Sequence, residues 1–176
     1  MKRFTDAGRK ALKDENFYAA LTLALMLPDV CGSLEDPGTG KSKKRYEAWV
    51  KKWLEPTYTT PTKVFLSAED CFQLRCSLIH SGSSDVDANQ ATDIERFRFF
   101  DNSNKSHCNY SSGNYENGVL QPTYLQLNAD QFCRDVFDAV DRWDASVAND
   151  NAVQAEKKKL LFLHSAGASI PGFRFG

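Results

Sequence analysis

At 176 residues and 41% hydrophobic content, the chain is long enough to bury one core without disulfide or metal staples. Its 22 basic and 23 acidic residues leave a net charge of −1, which excludes a whole-molecule electrostatic grip on nucleic acid and leaves only a local basic patch for that purpose. Five cysteines, an odd number scattered through apolar segments behind no signal-peptide pattern, read as reduced cytosolic thiols.

From Phe4 to Leu27 the apolar spacing is helical, with a break near Asn16, where Asn16 or Asp14 caps a second helix. Pro28 is expected to stop the run. The apolar stretch Ala19 to Leu27 is then too short to cross a bilayer, so a soluble, cytoplasmic protein without membrane contact is expected. After the stop, Asp29 either caps a short turn with Cys31 packed beside it, or reaches Arg75, Lys44 or Arg45. Gly38-Thr-Gly-Lys-Ser42 imitates a phosphate loop, but the position of the first required glycine holds Glu35, and no buried strand precedes it; a helix-to-helix loop is expected.

Ser42 to Leu54 reads as a helix capped by Ser42, with Tyr46, Trp49, Val50 and Trp53 inward and lysines around the other face. That basic face is either a solvated surface or, through Arg45 and Tyr46, part of an RNA-binding rim. Pro56 and Pro61 bracket an extended, Thr-rich linker.

The next stretch organises the chain. Ser67 with Asp70 three residues on makes a capping box, and Gly82 suits the position just past a helix end, so a helix is expected over Ala68 to His80. Arg75 and His80 on this helix are roughly 140° apart around the axis. They are not stacked neighbours, but the His sits in the last turn, from which its ring can swing toward the long guanidinium stem.

Beyond Gly82, Ser83 to Gln90 is polar and Asp93 to Phe100 alternates as a strand. A partner strand is expected at Val119 to Leu127, with Asp101 to Gly118 as a long hairpin loop. Asn128 with Gln131 caps a helix whose Phe132, Val136, Phe137, Val140, Trp143 and Val147 face inward. Ala152 to Leu163 is a helix, or a strand at its Leu160-Leu-Phe-Leu163 end, and 165–176 forms a tail on a single domain of residues 1–164.

Arg75-Cys-Ser-Leu-Ile-His80, preceded by Ala20 to Gly32 and by Lys44-Arg-Tyr-Glu-Ala-Trp49, resembles the signature of the HEPN superfamily, and the order of the three blocks is similar to that of a bacterial and plasmid-borne branch. The resemblance implies a mostly α fold, a HEPN-like helical bundle, here with a β-hairpin insertion at about 92–127. It implies metal-independent cleavage of RNA, which needs no cofactor because the nucleophile is the substrate's own ribose 2′-hydroxyl. His80 would move the proton and Arg75 would hold the scissile phosphate. Ser77 and Ser81 would hydrogen-bond phosphate or His80, and Asp29 would orient Arg75. A homodimer follows, because two copies bring two His residues into one cleft. The setting so implied is a toxin–antitoxin or anti-phage stress response, with an antitoxin or regulatory protein as partner.

Cys76 stands after the Arg, where many active members carry Asn, Asp or His. It supports the alternative of a non-catalytic RNA-binding or protein-interaction module of the same fold. A zinc site from Cys71, Cys76, His80 and His107-Cys108 lacks close Cys-x2-Cys spacing, and a Ser77, His80, Asp85 hydrolase lacks a nucleophile elbow, so no metal ligands are assigned.

Overall fold

Residues 1–83, 85, 94–101 and 106–164 are described in this computed structural model of the chain. The polar stretch 86–90, the first residue of the expected strand, Asp93, part of the loop at 102–105 and the tail 165–176 lie outside the described residues.

Two helices begin the fold, α1 (Lys2–Lys13) and α2 (Phe17–Glu35), separated at Asn16, whose side chain accepts the Ala19 N–H at 3.2 Å. The expectation that Pro28 ends this helix is wrong, because α2 runs through it. The ring removes the amide that would have bonded the Ala24 carbonyl, a cost of about 3 kcal/mol in a helix interior. Buried Leu25, Leu27, Pro28 and Cys31 offset it by packing against the surrounding helices, each large apolar side chain contributing about 1.5–3 kcal/mol. With Pro28 inside, the 19-residue helix is long and apolar enough to span a bilayer by length and composition, and half of that window is buried in the bundle.

The turn after α2 is held by the Arg45 guanidinium, which donates to the carbonyls of Asp36 at 3.0 Å and Gly38 at 2.6 Å. α3 (Ser42–Trp53) follows, and Ser42 does not cap it: Ser42 is the first helical residue and its hydroxyl is used elsewhere. The two helices approach closely at Gly32, where a Cβ would stand 2.9 Å from the Arg45 carbonyl oxygen. The expected extended linker begins instead with a 3-10 turn, Glu55–Tyr58, and only then becomes extended. α4 (Ala68–Ser81) matches the capping-box reading: the Ser67 hydroxyl accepts the Asp70 N–H at 3.1 Å, and the Asp70 carboxylate accepts the Ser67 N–H at 3.2 Å. Its end is closed by Gly82 at φ 62°, a left-handed conformation that suits glycine.

The expected hairpin between the two long strands does not form. β1 (Arg96–Phe100) and β5 (Tyr124–Asn128) run parallel, with Arg96 opposite Tyr124, and β2 (Asn109–Ser111) pairs antiparallel to β5 on its other side. Parallel strands need a crossover, and the intervening chain supplies it. Within that crossover β3 (Tyr115–Glu116) and β4 (Val119–Leu120) make a small hairpin, turning at Asn117 and Gly118 with φ of 51° and 79°. This is the geometry for which Asn-Gly is favoured.

α5 (Ala129–Ser146) is capped by the Asn128 side chain on the Gln131 N–H at 2.9 Å and buries Phe132, Val136, Phe137, Val140 and Trp143. α6 (Asn151–Lys157) ends before Leu160, and residues 160–163 form no strand. Phe97, Leu125 and Leu127 from the sheet join the helical side chains in one core, so the strands and the bundle pack as a single unit.

Candidate functional site

Arg75 occupies the middle of α4 and His80 its last turn. The long guanidinium stem spans the angle between them, and Arg75 Nη1 comes within 3.3 Å of His80 Nε2. A guanidinium has only donors, so a hydrogen bond here uses Nε2 as the acceptor. On its other side Arg75 Nη2 bonds Asp29 Oδ2 at 2.9 Å, both side chains being about four-fifths buried, at 19% and 22% exposure. Asp29 in turn accepts from the Ser42 hydroxyl, at 3.1 Å to Oδ1 and 3.3 Å to Oδ2. Three helices therefore contribute to one row, Ser42 from α3, Asp29 from α2, Arg75 and His80 from α4.

The continuation of α2 past Pro28 is what makes the row possible. Asp29 is a helical residue, not the cap of a turn, and of the contacts considered for it the one to Arg75 forms. The Arg75 fork retains further N–H groups beyond these two contacts, and His80 is exposed to solvent. An anion that arrives here meets a fixed cation and a titratable ring together.

The other residues singled out by the sequence are placed differently. Arg45 lies outside the row and spends its guanidinium on the α2–α3 turn. Tyr46 is fully buried, edge-on to Phe72 at 5.5 Å between ring centroids, so it offers no face for a base and is not part of an RNA-binding rim. Burial pushes its phenol well above the usual tyrosine range, Cys71 adds to this and Arg75 opposes it. Ser77 is half-buried and Ser81 exposed, and neither hydroxyl bonds Arg75 or His80. Cys76 is half-buried on the same helix.

Among the described residues no three His, Cys, Asp or Glu side chains gather as a metal-ligand group, and Asp85 pairs with Arg96 at 3.4 Å in place of His80. The residue that sequence reasoning missed is Ser42, which looked like a helix cap and proved to be the second support of Asp29. Nothing local in the sequence signals a contact between positions 29 and 42 on separate helices.

Comparison with protein-family models, with curated proteins and with solved structures gives no match to this chain.

Proposed function

We propose that the chain is a metal-independent endoribonuclease of HEPN type. The observation that carries this reading is the convergence of Arg75 and His80 at 3.3 Å against a carboxylate that orients the guanidinium. Arg75 binds two oxygens of the scissile phosphate and stabilises the charge of the pentacoordinate state. His80 takes the proton from the ribose 2′-hydroxyl or returns one to the leaving 5′-oxygen, so that one bond to phosphorus forms as the other breaks and a 2′,3′-cyclic phosphate is left. One His serves one of these roles, and a second copy supplies the other.

Exposed Tyr18 and Met26 on α2 and Ile79 on α4, the helices that carry Asp29 and the Arg75–His80 pair, are apolar surface that a homodimer would cover. The cellular setting proposed is a bacterial toxin–antitoxin or anti-phage response in the cytoplasm, with a protein partner that restrains the nuclease.

The test is incubation of the purified protein with bulk RNA and a chelator, beside His80→Ala. The parent is expected to leave cyclic phosphate ends and the variant to cut more slowly by about 10²–10⁴-fold, the usual range for a lost general acid or base, while remaining folded. Cleavage that survives in His80→Ala, or that stops with the chelator and returns with metal, would sink the proposal. A second reading, an RNA-binding or protein-interaction module that does not cut, is favoured by the Asp29 carboxylate already seated on Arg75 and by Cys76 beside it. RNA binding by the folded parent without any cleavage would select it.

A further inference from the structure

Away from α4, a cleft of about 380 Å³ opens between the 3-10 turn with the chain after it, the start of β2 and the first turns of α5. Asp135 and His107 stand in its wall, with Tyr58 and Phe65 as its aromatic sides. The Asp135 carboxylate is partly buried, its side chain 14% exposed. Its Oδ1 accepts from the Gln131 amide at 2.8 Å and its Oδ2 from the Tyr58 hydroxyl at 2.9 Å. Both donors are neutral.

Within 4 Å, the sole potential cation among the described residues is His107, whose Nε2 is 3.7 Å from Oδ2, beyond hydrogen-bond distance. That ring has another commitment. Its Nδ1 accepts the Asn128 N–H at 3.2 Å, a contact that uses this nitrogen as an acceptor. Lys63, on the neighbouring loop, has its ammonium over the Tyr110 ring, 3.1 Å from the centroid. Among the described residues, this partly buried carboxylate thus has no cation within hydrogen-bond distance, an arrangement that is costly unless something supplies one.

A carboxylate offers about four lone-pair positions. Here each oxygen takes one protein donor, which leaves acceptor capacity on both, and the residue lines the cleft. Two adjacent half-used acceptors suit a planar group with parallel N–H donors, and aromatic walls suit a flat cation of weak hydration. We propose that this cleft is a binding site for a guanidinium group, received in a two-pronged contact by Asp135. The site is independent of the ribonuclease reading, sharing no residue with it. The group arrives on a free small molecule or on an arginine of a protein segment.

The test is a titration of the full chain, followed by amide NMR, with methylguanidinium, with a capped Gly-Arg-Gly peptide and with urea as the neutral plane of the same shape. Saturable shifts centred on Tyr58, His107 and Gln131 are expected for both cations. Tighter binding of the peptide would assign the site to an arginine of a protein, and equal binding to a free guanidine. Asp135→Asn keeps an acceptor for Tyr58 and removes the charge, and should weaken binding by about ten-fold or more. Absence of saturable shifts, an equal response to urea, or undiminished binding by Asp135→Asn would overturn the proposal. So would a doubly protonated His107 in the ligand-free protein at neutral pH, since Asp135 would then hold its cation already. The urea comparison uses the parent chain and decides the matter even if the variant fails to fold.

Discussion

His80 and His107 each lie beside a charged side chain, yet the chain secures them by different means. His80 ends a helix, is exposed, and meets the Arg75 guanidinium, itself braced by Asp29, which Ser42 supports in turn. His107 is pinned through Nδ1 to the backbone at the start of α5, and the charge beside it is a carboxylate whose own partners are neutral. In the first region the fold supplies both charges and leaves the ring accessible to solvent; in the second it fixes the ring beside a carboxylate that has no cation within hydrogen-bond distance among the described residues. The contrast suits chemistry at the first and recognition at the second.

The largest expected effect that separates the two regions comes from Gly32→Ala. A Cβ there meets the Arg45 backbone, which cannot move without shifting α3 and with it Ser42. A loss of about 1–3 kcal/mol is expected, read as a fall of roughly 2–4 °C in Tm per kcal/mol. Amide shifts should concentrate around Asp29 and Arg75 and spare His107; shifts of equal size in both regions would break the comparison.

Asp29→Asn is a smaller change. It keeps an acceptor for Ser42 but removes the charge that competes with phosphate for Arg75. Affinity for a 2′-O-methyl RNA, which cannot be cut, should rise by about two- to five-fold at fixed salt, the range of a partly exposed ion pair. The cleavage rate on ordinary RNA should fall as the guanidinium loses its brace. Unchanged affinity by fluorescence anisotropy would mean that Asp29 does not hold Arg75 back.

The smallest effect concerns Asp144, a carboxylate with the opposite lot to Asp135, bonded by both Lys157 and the Met1 amino group. Burial raises its pKa, but the two cations outweigh burial and hold it below the usual aspartate range. Its charged form is favoured by folding, so the stability it lends is complete above about pH 3.9 and drains away as pH falls through the lower folded value. Acid unfolding of Asp144→Asn should lack this component, while Asp135→Asn should retain it. Identical acid profiles for parent and Asp144→Asn would refute the assignment.

Legibility in the sequence followed locality. The ends of α4 were readable because Ser67, Asp70 and Gly82 act within a few residues of where they stand, and Asn128 announced α5 in the same way. The meeting of Arg75 and His80 was anticipated from one helix and a flexible stem. Pro28 misled because the forces that carry α2 through it come from helices far away in sequence. The sheet misled because alternation of side chains marks a strand and says nothing of its direction. Asn117-Gly118 is a strong local turn signal, and it marks the β3–β4 hairpin at the end of the stretch expected to be one long loop. The guanidinium cleft joins positions 58, 107 and 135, and no spacing rule links them.

The parallel pairing of β1 with β5 also bears on how the chain emerges from a ribosome. The strand Arg96–Phe100 has no partner strand until Tyr124–Asn128 has been made, and at about 5–20 residues per second that interval lasts on the order of seconds. During it, Arg96-Phe-Arg-Phe-Phe100 is a nascent strand with open edges and three aromatic rings, the composition that recruits other unfinished chains. Arg96 and Arg98 interrupt it at alternate positions, and repulsion between such charges on neighbouring chains guards the segment until its own partner arrives.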